Sequence, residues 1–179
     1  ARRALGASRG AVVAMDPSNG EVLAMVSNPS FDPNLFVDGI DHATYSALRS
    51  LKDKPFLNRA LHGRYAPGST IKPVFAEVVI EEGIDPEESV FCPGWYMLPG
   101  STRQYRCWKK TGHGRVDLHA AIEQSCDVYF YEMGKRLGIG QMSGVLKKFG
   151  LGSQSGVDLP GEPDGLVPSA EWKLATRNE

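Results

Sequence analysis

Pro73 sits inside the strongest apolar run of the chain, Ile71-Lys72-Pro73-Val74-Phe75-Ala76-Glu77-Val78-Val79-Ile80. A proline breaks a helix interior, because it has no N–H and its ring clashes with the preceding turn. It is tolerated only among the first positions, whose N–H groups have no intrahelical partner. The run predicts a helix over about Ser69–Glu82 that stops at Gly83, so Pro73 forces the start close to Ser69. The Ser69 hydroxyl then lies at the positive end of the helix dipole, with Lys72 one turn on and on the same face.

That pair has two readings. A serine hydroxyl becomes a nucleophile when a neighbouring base takes its proton, and a lysine amine can do so when burial or nearby charge favours its neutral form. The helix start adds backbone N–H groups for a developing oxyanion. The alternative is that Ser69 only caps the helix and Lys72 is solvated. Ser-x-x-Lys by itself is too common to decide between them.

Elsewhere the clearest strand signal is at the start. Ala11–Met15 and Glu21–Val26 are β-prone runs on either side of Asp16-Pro17-Ser18-Asn19-Gly20, which predicts a hairpin with a longer loop. Pro29, Pro33 and Gly39 make 28–54 mostly loop, with a short helix around Ala43–Ser50. Residues 84–116, with Pro86, Pro93, Pro99 and several glycines, read as a long irregular excursion, functional or pinned by something. Helices are expected again at about Asp117–Gln124, Val128–Leu137 and Gln141–Phe149, followed by a Gly/Pro-rich stretch to Pro168. One hairpin followed by several helices is an α+β pattern with most of a sheet missing.

The 20 basic and 21 acidic residues nearly cancel, leaving a net charge of −1. This excludes a nucleic-acid module, which needs a cationic surplus on one face. No apolar run reaches the length of a membrane span, and 41% hydrophobic content argues against disorder. The chain does not begin with Met, and 172–179 read like the start of another segment. A piece of a longer protein is therefore expected, with any export signal or anchor outside it.

Asn58-Arg59-Ala60, Gly63, Tyr65, Pro67-Gly68-Ser69-Thr70 and Lys72-Pro73 together resemble the active-site region of penicillin-binding transpeptidases, a family marked by Ser-x-x-Lys. The likeness extends to Asp32–Ile40, Pro93-Gly94-Trp95, Leu98-Pro99-Gly100, Trp108-Lys109-Lys110 and Gly112-His113-Gly114. These segments are similar to the class B enzymes of rod-shape elongation. The resemblance implies the penicillin-binding/serine β-lactamase-like fold, with residues 1–179 as a single partial transpeptidase domain lacking its later strands. The hairpin would then have an exposed edge, a pairing hazard.

In that family a Ser-x-Asn/Asp motif faces the nucleophile from a loop between two helices, and Ser125-Cys126-Asp127 fits it. The resemblance gives Ser125 a hydrogen bond to Lys72 and a part in passing a proton to the leaving amine. Asp127 replaces the commoner Asn but matches the elongation subgroup, and it is also a good N-cap for the next helix. The third family motif is Lys-Thr/Ser-Gly on a strand that follows the second. Lys110-Thr111-Gly112 spells it, but it precedes Ser125 in a Gly-rich stretch without strand character, so we read it as a decoy. With no other such triplet, the chain as given is expected to have little transpeptidase activity.

Cys92, Cys107, His113 and Cys126 form C-x14-C-x5-H-x12-C and include every cysteine of the chain. They are a suitable Cys₃His set for a closed tetrahedral zinc site, although the short C-x2-C knuckle is absent. A metal would staple the irregular excursion and hold the loop carrying Ser125 and Asp127. The resemblance implies an oxidising periplasm, where exposed thiols do not persist unless buried or metal-bound. A Cys92–Cys107 disulfide with Cys126 buried, or three free thiols, are the alternatives. His42, His62 and His119 have no such setting and read as structural or solvated.

The resemblance thus implies a peptidoglycan D,D-transpeptidase with Ser69, Lys72, Ser125 and Asp127 in the catalytic site. It needs no catalytic cofactor, and the zinc would be structural. Its partners would be peptidoglycan stem peptides, β-lactam antibiotics and the membrane glycosyltransferase of the elongation complex. It would work at the periplasmic face of the inner membrane, anchored by an N-terminal helix outside this chain. Two other readings remain: a serine β-lactamase or β-lactam sensor, for which no deacylating base is evident, and a non-catalytic zinc-stapled interaction module.

Overall fold

The computed structural model describes residues 1–177 and divides them into two compact units. The first holds residues 1–65 with 157–163; the second holds 66–156 and the stretch from Asp164 onward. Of the expected final segment, residues 178 and 179 lie outside the described residues.

In the first unit a short helix α1 (Arg2–Leu5) precedes strands β1 (Gly10–Met15) and β2 (Val22–Asn28). They form the expected antiparallel hairpin, in register from Gly10↔Asn28 to Ala14↔Ala24 with a bulge before Met15. Its loop is pinned by Asp16, whose carboxylate accepts the Ser18 N–H while its own N–H reaches the Glu21 carbonyl. Among the described residues β1 and β2 pair only with each other, and Met15 and Leu23 are exposed.

Helix α2 (His42–Ser50) matches the expected short helix and is capped by Asp41, which accepts the Thr44 N–H. Helix α3 (Arg59–His62) is tied to β2 through Ser27, whose hydroxyl donates to the Leu57 carbonyl and accepts the Arg59 N–H. Buried Arg59 turns its guanidinium onto the carbonyls of Asp53, Lys54 and Leu57, satisfying a loop that has no ladder of its own.

The second unit carries the main core and the candidate site. Helix α4 (Lys72–Glu81) is preceded by a 3₁₀ turn over Gly68–Ile71 rather than beginning as α-helix at Ser69. Pro73 is the cause. The N–H that would bond the Ser69 carbonyl four residues back is missing, and the Lys72 N–H takes that carbonyl instead, at i→i−3.

The excursion is less irregular than its glycines and prolines suggest. It holds four short strands, β3 (Val90–Cys92), β4 (Trp95–Met97), β5 (Gln104–Arg106) and β6 (Gly114–Val116), paired antiparallel as β3–β6 and β4–β5. Three-residue strands are too short to show a period of two, and β3 pairs with a segment more than twenty residues away. Lys110-Thr111-Gly112 lies in a turn, as its flanks implied. A glycine is required there, because Gly112 has φ +79 and a Cβ would run into the Cys92 carbonyl.

Helix α5 (Leu118–Glu123) starts at Asp117, which accepts the Ala120 N–H. Helix α6 (Asp127–Lys148) is continuous except at Gly138, where φ 76 and ψ 162 break it into the two expected segments. Its cap is Cys126, with no side-chain bond. The capping role expected for Asp127 is not realised, because its carboxylate is held elsewhere. Helix α7 (Ala170–Arg177) follows the Gly/Pro-rich stretch. The core gathers Val79 of α4, Val116 of β6, Ala121 of α5 and Val128, Tyr129 and Met133 of α6 around the three cysteines. No described helix is long and apolar enough to cross a membrane.

Candidate active site and thiol–imidazole cluster

Every residue of the candidate site belongs to the second unit. The 3₁₀ turn places Ser69 and Lys72, three apart, on one side of the chain, where both line the same cleft. Ser69 is exposed and its hydroxyl has no hydrogen-bond partner among the described residues, whereas Lys72 is 7% exposed. A buried ammonium is tolerated only when paired and hydrogen-bonded. Lys72 Nζ donates to the Ser125 carbonyl at 2.8 Å, to Ser125 Oγ at 3.0 Å and to Asp127 Oδ1 at 2.7 Å, which uses its three N–H bonds. The solvated alternative for Lys72 is therefore overturned, and so is the capping alternative for Ser69, whose turn has no side-chain cap.

The loop makes this possible through one unusual residue. Helix α5 ends with the Ser125 N–H on the Ile122 carbonyl and the Cys126 N–H on the Ala121 carbonyl. Ser125 itself has φ +53, a left-handed conformation costing a non-glycine residue about 1–2 kcal/mol. That elbow directs both its carbonyl and its hydroxyl at Lys72. Phe130, from the next turn of α6, lies 5.6 Å beneath the ammonium and adds a cation–π contact. Trp108 closes the arrangement from outside. Its N–H donates to Asp127 Oδ2 at 3.2 Å and its indole N–H to the Gln124 carbonyl at 2.9 Å.

Cys92, Cys107, His113 and Cys126 converge behind that loop, with their ligand atoms all within 4.8 Å of one another. They come from the end of β3, the residue after β5, the residue before β6 and the residue before α6. His113 Nδ1 stands 3.5 Å from Cys92 Sγ and 3.6 Å from Cys107 Sγ. Zinc bonds of about 2.3 Å to sulfur and 2.0–2.1 Å to nitrogen give a tetrahedron whose S···N edge is about 3.6 Å. The donor set and its spacing fit that ion. All three thiols are buried and free, so the Cys92–Cys107 disulfide is not formed. Burial pushes the Cys126 thiol up to about 12. The His113 imidazole is shifted down, by burial first and then by Lys109.

The cleft itself, of about 650 Å³, extends from Ser69 and Lys72 between α4, α6 and the β4–β5 hairpin. Tyr96, Leu98 and Tyr105 form the hairpin wall; Tyr131 and Phe130 face them from α6. Tyr131 lies 6.0 Å from the Tyr96 ring and 5.9 Å from the Tyr105 ring. Tyr96 is fixed by donating to Glu132 Oε2 at 2.9 Å, and burial together with that carboxylate pushes its hydroxyl up to about 12. Sequence reasoning did not assign these tyrosines to the site. Tyr129-Phe130-Tyr131 beside the second motif was the available signal, and a helical aromatic run more often means core.

The Penicillin binding protein transpeptidase domain family matches residues 10–178. A curated relative, the Peptidoglycan D,D-transpeptidase MrdA of Acinetobacter baumannii, is 52% identical over 178 residues, 99% of this chain and 26% of that protein. The chain therefore spans about a quarter of that relative's length. Among solved structures, PBP2 of Pseudomonas aeruginosa in complex with WCK 5153 superposes with TM-score 0.91 at 47% identity, over 99% of this chain and 39% of that one. PBP2 of Helicobacter pylori, solved in complex with MreC, gives TM-score 0.93 at 36% identity, over 99% of this chain and 33% of that one. On the Ser-x-x-Lys turn, the facing Ser-x-Asp loop and these matches, the chain belongs to the penicillin-binding protein transpeptidase domain family.

Proposed function

We propose that the protein is a peptidoglycan D,D-transpeptidase of cell-wall elongation, with Ser69 as its nucleophile. The observation that carries this reading is the Lys72 ammonium, buried one turn from an unpartnered serine and held by Ser125 and Asp127. Ser69 Oγ attacks the carbonyl of the penultimate D-alanine of a stem peptide. A new C–O bond forms, the C–N bond to the terminal D-alanine breaks, and the amine leaves. Lys72 accepts the Ser69 proton as it yields one of its own through Ser125 Oγ to the leaving nitrogen, so its charge is the same before and after. The Ser69 backbone N–H, at the start of the helix, is positioned as an oxyanion donor. An amine of a neighbouring stem then resolves the ester, and β-lactams are trapped at the same serine. Asp127 is the one carboxylate lining the cleft among the described residues, and Lys72 occupies it. It is thus unavailable as a deacylating base, which disfavours the β-lactamase reading.

Cys92, Cys107, His113 and Cys126 would hold a structural zinc, which supplies a rigid support for the Ser125–Asp127 loop and takes no part in the reaction. The fit of the 3.5 and 3.6 Å contacts to a tetrahedral edge supports this. By analogy with the relatives the protein would act on the periplasmic face of the inner membrane. Helicobacter pylori PBP2 was solved in complex with MreC, and another matched structure is a peptidoglycan synthase complex that coordinates polymerization and crosslinking; these support protein partners of the cell-wall machinery, the membrane glycosyltransferase among those expected. The test is labelling by a fluorescent penicillin of the whole protein that carries this chain, since the 179 residues alone are expected to react poorly. The wild type is expected to become covalently labelled and Ser69→Ala to lose labelling; undiminished labelling of Ser69→Ala overturns the assignment.

A further inference from the structure

The hairpin wall of the cleft has no sheet behind it. Strands β4 and β5 have three residues each and, among the described residues, pair only with each other. A two-stranded hairpin is marginal in water and keeps its place by packing on another element. Tyr96 and Tyr105 are directly opposed across its ladder, so their side chains leave the same face. Both line the cleft and both meet the Tyr131 ring of α6, with centroids 6.0 and 5.9 Å apart. Such ring contacts restrain the wall without fixing it, because aromatic pairs are favourable anywhere over about 4.5–7 Å.

A directional tie exists at one point. The Tyr96 hydroxyl donates to Glu132 Oε2 at 2.9 Å, the only hydrogen bond from a hairpin side chain to α6 among the described residues. Glu132 is itself held. Its Oε1 accepts from Arg136 Nε at 3.1 Å, one turn further along α6, and Arg136 Nη1 reaches Glu88 Oε1 at 2.6 Å. Burial alone would raise the Glu132 carboxyl, but hydrogen bonds from Tyr96 and Arg136 and the charges of Lys135 and Arg136 leave it lowered. Tyr96 therefore bonds an ionised acceptor, the stronger kind. Neither Glu132, Arg136 nor Glu88 lines the cleft, so this tie acts on it only through Tyr96.

We infer that Glu132 is a positioning residue of the active-site cleft: acting through Tyr96, it sets the distance of the β4–β5 wall from α6, and so how tightly the cleft holds its ligand rather than how fast Ser69 reacts. The hydrogen bonds of Lys72 run to Ser125 and Asp127 and involve no residue of the hairpin, so the wall can shift without altering them. This rests on the transpeptidase reading above and adds a residue that governs binding at the same site.

The test uses the whole protein that carries this chain. Dissociation of unreacted penicillin is measured with Ser69→Ala, and the acylation rate at saturating penicillin with Ser69 intact. Glu132→Ala is expected to weaken binding about ten-fold, the worth of one hydrogen bond to a charged group, and to leave the saturated rate unchanged. Tyr96→Phe keeps the ring, loses the same bond and should do likewise. The two changes together should cost no more than either alone. Glu132→Gln keeps an acceptor and should recover most of the affinity. Glu88→Gln breaks the ion pair at the far end of Arg136; it controls for general destabilisation and should leave binding unchanged. Unaltered binding in Glu132→Ala or Tyr96→Phe, additive effects of the two, a loss in the saturated rate instead of in binding, or an equal loss with Glu88→Gln overturns the inference. Failure of the catalytic reading shows separately, as absence of penicillin labelling with Ser69 intact.

Discussion

Lys72 has every N–H of its ammonium committed, two on Ser125 and one on Asp127, in a site with little water to replace them. Removing one partner of such a pair strands a buried charge, which costs more than the pair itself contributes. Asp127→Ala is therefore expected to slow acylation of Ser69 by about 100-fold, or about 2.7 kcal/mol. Asp127→Asn should cost less, because an amide oxygen still accepts from Lys72, although its NH₂ cannot accept the Trp108 N–H and that hydrogen bond is lost. Stopped-flow acylation with a fluorescent penicillin measures both, and equal rates for the two variants would refute the role given to the carboxylate. Of these residues, that Ser69 and Lys72 share one side of the chain was readable from Pro73, since a missing N–H acts within one turn, whereas their catalytic reading came from the family resemblance. The non-capping role of Asp127 was not, because the lysine that claims it lies 55 residues away in sequence.

At the scale of elements, the β4–β5 hairpin holds one wall of the cleft and is tied to α6 through Tyr96 and Glu132. Burial works upward on the Glu132 carboxyl but is outweighed by hydrogen bonds from Tyr96 and Arg136, and the net shift is downward. A carboxyl lowered in the folded state contributes stability above its unfolded value of about 4.3, and that contribution is lost as pH falls through the folded value. Glu132→Gln should thus lower Tm by about 3 °C near neutral pH. The difference should shrink as pH falls below about 4.3 and through the lowered folded value, as the Glu132 carboxyl takes up its proton. A pH-independent difference in thermal melts would contradict this account. The hairpin was hidden in the sequence: Trp95–Met97 and Gln104–Arg106 are too short for periodicity, and Pro99 and Gly100 between them read as irregular chain. The longer elements, β1–β2 and both segments of α6, were legible because their patterns repeat within the element, whereas the short α5 is marked by its capping Asp117.

For the molecule as a whole, the cluster of Cys92, Cys107, His113 and Cys126 joins the excursion to the start of α6 and supports the Ser125–Asp127 loop from behind. Protein purified without chelator is expected to hold about one zinc per chain by elemental analysis. Chelation should lower its melting temperature and slow penicillin acylation, since Cys126 stands between Ser125 and Asp127. Absence of stoichiometric zinc would remove the metal from the proposal. What the sequence determined alone was local: that helical structure starts close to Ser69, which serine and lysine share a face, where the hairpin turns, and which side chains have the chemistry for a metal. Dihedral preferences and side-chain periods act over a few residues, and those features lie within that range. The fold alone decided that Lys72 meets Ser125 and Asp127, that four dispersed side chains meet within 4.8 Å, and that three tyrosines line one cleft with Ser69 and Lys72. Each joins segments far apart along the chain, and only burial of a common core brings them into contact.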